Sequence, residues 1–124
     1  MWQAMARAAR TSDWKSPELA RYATGNALTT ITRSLYADHR SGVVTRGTPE
    51  NHPRVTSVEP PRNPRTVMIS DCGDSTGTSK VHEDTGKPVN DAQGGRRSIA
   101  AKVVQQPDGT WRVTRFAVEG VGTC

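Results

Sequence analysis

The segment Val67–Gly77 (VMISDCGDSTG) holds the residues with the most chemical character. Cys72 stands between Asp71 and Asp74 at the mouth of a Gly/Ser/Thr loop. A cysteine acts as a nucleophile when a histidine base is held beside it. Carboxylates act as general acids and bases, or as oxygen ligands for calcium. His39, His52 and His82 are the available histidines. They fall in a helical, a loop and a hairpin segment, without metal-ligand spacing. The run from Asp71 to Gly77 lacks the ligand series and closing Glu of a calcium loop. No serine carries the flanking glycines of a nucleophile elbow. Gly94-Gly95 precedes a strand rather than a helix, which is a hairpin feature and not a phosphate loop. The expectation is no metal site and no cofactor.

Cys72 and Cys124 are the only cysteines. One closes a strand and the other closes the chain, a placement that suits a disulfide pinning the last strand. Two unrelated buried thiols and a catalytic Cys72 are the alternatives. A disulfide would imply an oxidising compartment. Asp71 alternates with Val67 and Ile69, so the three share a sheet face. Either Asp71 bonds to nearby backbone or an arginine, or it is the base of a pocket walled by Tyr36 and Trp111. Asp74 reads as an Asx turn capping the loop. The aromatic residues Trp2, Trp14, Tyr22, Tyr36 and Trp111 suit a core, or else line a ligand pocket between helices and sheet.

Helices come first among the elements that must position these residues. Trp2, Met5, Ala6 and Ala9 form one apolar stripe. Ser16-Pro17-Glu18 is a helix start, and Asn26 caps a longer helix from Ala27 to His39 with Leu28, Ile31, Leu35 and Tyr36 on one side. After Gly42 the period changes to two. Strands are expected at Val43–Gly47, Val55–Glu59 and Thr66–Cys72, with Val81–Glu83 and Pro88–Val89 flanking a hairpin turn. After a loop at Gln93-Gly94-Gly95 come Arg96–Gln105 and Thr110–Val118, joined by the turn Pro107-Asp108-Gly109. Trp111 and Val113 share one side of the last strand, while Phe116 and Val118 share the other. That phase change predicts a bulge near Thr114-Arg115. Helices followed by hairpin-linked strands predict an α+β domain over residues 1–124, with helices packed on a curved antiparallel sheet of about four strands.

These residues carry a resemblance. Glu18–Leu28 (ELARYATGNAL), Val43–Pro49 (VVTRGTP), Val67–Thr76 (VMISDCGDST), Thr85–Val89 (TGKPV), Arg96-Arg97, Asp108–Val113 (DGTWRV) and the terminal Cys124 resemble small secreted proteins and lipoproteins of actinobacteria. Those are similar to the nuclear transport factor 2-like superfamily. The resemblance implies a cone of helices over a bent sheet, and homodimerisation through the outer sheet face. Members of the superfamily include cyclases, isomerases, immunity proteins, binding domains and scaffolds, so fold alone does not choose a function. The lipobox cysteine of such lipoproteins is absent.

Composition narrows the classes. Hydrophobic residues make up 33% of the 124, so the core is modest and a cross-link correspondingly valuable. The net charge is +5, yet 13 Arg and 4 Lys are scattered singly apart from Arg96-Arg97, without a nucleic-acid-binding motif. Nucleic acid is not an expected partner, and no apolar run is long enough to span a bilayer. The chain opens inside a helical pattern, which reads as an internal start with an export signal upstream. The expected function is an extracytoplasmic, non-catalytic binding or scaffold domain, secreted or lipid-anchored, meeting a protein partner at the cell envelope. Two alternatives stand beside it: an isomerase- or cyclase-like enzyme with Asp71 as base, and an immunity or inhibitor protein whose arginines meet an acidic partner.

Overall fold

Among the described residues, three helices and six strands answer the change of period at Gly42. The computed structural model describes residues 1–89 and 94–124. In chain order the elements are α1 (Trp2–Ala9), α2 (Leu19–Tyr22), α3 (Gly25–Arg40), β1 (Val43–Arg46), β2 (Arg54–Glu59), β3 (Thr66–Asp74), β4 (Ser79–His82), β5 (Arg96–Gln105) and β6 (Trp111–Val121). The fold is α+β, with the helices packed on antiparallel strands. Gln93, part of an expected loop, lies outside the described residues.

The helical core is built on small side chains. Ala4, Ala8, Ala9, Leu19, Ala23, Ala27, Ile31 and Leu35 form one buried cluster, against which Val113 and Phe116 of β6 pack. Alanine lets helix backbones approach closely, so the larger residues of α1 can face elsewhere. The α3 stripe is Ala27, Ile31 and Leu35, while Tyr36 is exposed and its ring meets Trp14 edge-on at 5.1 Å. Two expected caps differ from the structure. Ser16 to Glu18 form a turn in which the Leu19 N–H donates to the Ser16 carbonyl, so α2 is a single turn. Asn26 lies inside α3, because extended Thr24 docks on β6 through its N–H to the Val113 carbonyl at 2.9 Å and the helix begins directly after it.

The strands form two sheets rather than one. β2-β3-β5-β6 is a four-stranded antiparallel sheet, and β1-β4 is a separate ribbon. Pro49 and Pro53 lack the N–H groups that a continuing ladder would need. The chain therefore crosses between β1 and β2 instead of turning back. The expected hairpin turn is present: Gly86 has φ +71°, and the His82 N–H donates to the Lys87 carbonyl.

The phase change in β6 is a bulge at Thr114. Lys102 faces Arg115 and Val103 faces Val113, so Thr114 is the extra residue. The insertion turns Val113, Phe116 and Val118 to the same face, opposite Val103, Ala101 and Ile99. Without it, Val113 and Phe116, three residues apart, would point to opposite sides. A second shift, at Thr56 in β2, lets Val55 and Val58 both face this inner side.

Cys72 and Cys124 are joined, with Cα atoms 5.9 Å apart and a sequence separation of 52. β5 lies between β3 and β6, so the tail after Val121 must cross the end of β5 to reach Cys72. Two hydrogen bonds guide it: the Gly122 N–H to the Arg96 carbonyl, and the Ser98 N–H to Thr123 Oγ1, both 2.8 Å. A cross-link closing a loop of this length restricts the unfolded chain by about 4 kcal/mol in the chain-entropy picture. The Cys124→Ser variant should therefore lose about 4 kcal/mol in urea unfolding. A loss below about 1 kcal/mol would show that the tail contacts and core suffice.

Candidate binding site

The segment crossing from β1 to β2 is fastened to the end of β3. Glu50 and Asp74 exchange backbone hydrogen bonds of 2.9 and 2.7 Å. Three residues earlier on β3, Asp71 takes both of the next residues of the crossing segment. Its Oδ2 accepts from Asn51 Nδ2 at 2.8 Å, and its Oδ1 accepts from the His52 N–H at 2.6 Å. The His52 ring Nδ1 lies 3.2 Å from the Cys72 carbonyl. Asp71 is buried, at 6% exposure, and a buried carboxylate is tolerated only when such donors surround it. Two glycines allow the close approach. A Cβ on Gly73 would lie 2.7 Å from Ile99 Cδ1, and one on Gly47 would lie 2.0 Å from the Gly77 carbonyl oxygen.

The fastened segment forms one wall of a cavity of about 260 Å³. α1 supplies the opposite wall with Trp2, Met5, Ala6 and Ala9, and Ile99 and Val118 come from the sheet. The apolar stripe read from the sequence is this wall. Ala9 alone also joins the helical core, whose other α1 members are Ala4 and Ala8. Trp2 is held upright by an edge-on contact with Phe116 at 5.0 Å. Lys80 and Arg97 complete the lining at the polar end. Neither was singled out from the sequence as a site residue. The alternation of Arg97 with Ile99 and Ala101 along β5 was the available signal.

The residues expected to form a pocket are distributed differently. Asp71 stands behind Asn51, whose amide it holds. Tyr36 lies on α3 against Trp14, and Trp111 begins β6 opposite Gln105. None of the three lines the cavity. His39, His52 and His82 lie on α3, the crossing segment and β4, and no group of three metal-ligating side chains gathers among the described residues. No helix among the described residues is long and apolar enough to cross a membrane.

No protein-family model matches the chain, and no curated protein matches it in sequence. Its fold is similar to solved structures. The intermembrane space region of the chloroplast protein ARC6 superposes with a TM-score of 0.68 at 19% identity, covering 96% of this chain and 88% of that one. A ketosteroid isomerase-like protein from Erwinia carotovora atroseptica reaches a TM-score of 0.49 at 10% identity, covering 94% and 87%. At these identities the likeness is one of fold alone.

The loops that frame the sheet use one device twice. Asp74 Oδ1 accepts from the Thr76 N–H at 3.0 Å and the Thr76 hydroxyl at 2.7 Å. Asp108 Oδ1 accepts from the Thr110 N–H at 2.9 Å and the Thr110 hydroxyl at 2.6 Å. These bonds hold both carboxyls below the usual carboxylate range, with Arg96 and Arg112 adding to the effect. A lowered folded-state pKa contributes stability that is full above the ordinary carboxylate value near pH 4 and is lost as pH falls through the lowered values. Thermal unfolding followed from pH 6 to pH 2 should show this loss below about pH 4. The double variant Asp74→Asn/Asp108→Asn should give a flatter profile, and an equally steep one would assign the acid sensitivity to other groups.

Proposed function

We propose that this chain is a non-catalytic binding domain of an extracytoplasmic protein, with the α1–sheet cavity as its ligand site. The observation that carries this reading is the state of Asp71. It is the one buried carboxylate among the described residues, and both of its oxygens are occupied by Asn51 and His52. A general base needs an oxygen aimed at the substrate proton. The isomerase- or cyclase-like reading would require Asp71 to release the wall it holds. Among the described residues, the cavity lining contains no His, Cys, Asp or Glu. The Cys72–Cys124 disulfide supports an oxidising, extracytoplasmic setting. The sequence resemblance to small secreted actinobacterial proteins supports the same setting, with the chain acting as one domain. Calorimetric titration with 1-octanol, a neutral apolar probe, tests the site. Binding is expected to saturate at one equivalent and to be abolished in a folded Ala6→Trp variant, whose indole fills the cavity. No binding to the parent chain, or binding unaffected by Ala6→Trp, would overturn the assignment.

A protein partner is the second reading, and the outer sheet face favours it. Lys102 and Arg115 stand directly opposite each other across β5 and β6, on the face away from the helices. Like charges so placed destabilise a sheet and are relieved by an acidic surface. A second copy docking through the same face would bring basic residues against basic ones. An acidic protein, as expected for the immunity or inhibitor class, fits better than a homodimer. Arg115→Glu should raise the stability of the isolated chain by about 0.5 kcal/mol. No gain would remove the reason for assigning a partner to this face.

A further inference from the structure

The apolar cavity opens beside a polar one of about 600 Å³, and the two share Thr45, Ser75, Thr78, Lys80 and Arg97. Among the described residues, neither lining contains a carboxylate. The Lys80 ammonium is already matched, lying 3.2 Å from Asp38 Oδ2 and 3.3 Å from Oδ1. The Arg97 guanidinium makes one long contact, donating from Nη1 to the Glu119 carbonyl at 3.4 Å. It has no ion pair among the described residues. A guanidinium carries five N–H donors in a planar fork, so most of this one's donors remain available. Among the described residues, the boundary between the cavities therefore holds one positive charge without an ion-pair partner, with a hydroxyl of Thr45 nearby on β1.

We propose that the site binds a small amphipathic monocarboxylate. Its apolar body would lie against Met5, Ala6, Ile99 and Val118, and its carboxylate would meet Arg97. This rests on the reading of the apolar cavity as the ligand site, and adds the charge and polarity of what enters it. The size of the cavity sets the length. At roughly 30 Å³ per water, 260 Å³ is the room of about nine waters, which suits a medium-length chain or a single ring rather than a long acyl chain. The charge sets the head group. One guanidinium balances a single negative charge, whereas a phosphate monoester would bring nearly two. The flexible Met5 allows the apolar wall to adapt to a branched or a straight body.

Calorimetric titration of the intact chain with octanoate, 1-octanol and a short peptide ending in leucine tests this. Octanoate is expected to bind tenfold or more tightly than 1-octanol. Arg97→Gln should weaken octanoate by about ten- to a hundredfold and 1-octanol by much less, so that the preference between the two collapses. Arg97→Lys, which keeps the charge but not the fork, should retain part of the preference, and circular dichroism checks that both variants are folded. Equal affinity for octanoate and 1-octanol would overturn the carboxylate assignment while leaving the cavity as a binding site. Failure of all three probes would overturn the binding reading itself. Preference for the peptide over octanoate would overturn the assignment to a small free acid.

Discussion

The Asp71 carboxylate is the interaction on which the site depends. A chain that leaves a two-stranded ribbon and enters a four-stranded sheet must cross open space, and its backbone donors need partners on the way. Asp71 supplies them from inside the sheet, holding the Asn51 amide and the His52 N–H together. Removing the carboxylate would leave those donors facing a partly buried wall. The wall would lose its register with Gly73 and Ile99, and the cavity its shape. A residue type associated with proton transfer serves here as a two-point clamp.

Around that clamp, small side chains decide where large ones go. The helical core is mostly alanine, with Ile31 and Leu35 as its largest fully buried members. Trp2 and Met5 line the space between α1 and the sheet, and Met5 also packs against the helical core. A core of this size yields less burial energy than a leucine-rich one. The covalent link from Cys72 to Cys124 offsets part of the difference by limiting the unfolded chain. The link lies at the same end of the sheet as the cavity, since Cys72 precedes Gly73 and pairs with Ser98, between Arg97 and Ile99.

The sequence is legible where structure follows local period. β1, β5 and the turn at Gly109 lie where alternation and glycine placed them. The bulge at Thr114 was visible because the apolar residues of β6 change phase. The start of α3 was misplaced because Thr24 is fixed by Val113, nearly ninety residues away in sequence. The pairing of β1 with β4 is likewise non-local, and nothing in Val43–Gly47 distinguishes an edge of one sheet from another. At the site, the spacing placed Asp71 on the inner face, but its partners come from a proline-bounded segment without regular structure. Tyr36 and Trp111 show the limit of aromatic residues as pocket markers, because the bulky side chains at the cavity lie on the short first helix.

The division into two sheets has a mechanical consequence. Thr45 and Lys80 belong to the β1-β4 ribbon, whereas Ile99, Arg97 and Val118 belong to the larger sheet, so the cavity lies across a seam between two separate hydrogen-bond ladders. The Glu50–Asp74 bridge, the Asp71 clamp and the His52 ring beside the Cys72 carbonyl stitch the crossing segment to the larger sheet. Widening such a seam breaks no strand pairing, so the space can breathe by small rigid shifts of the ribbon. Selectivity for length is then soft, while selectivity for charge, fixed by Arg97 within a ten-residue ladder, is hard.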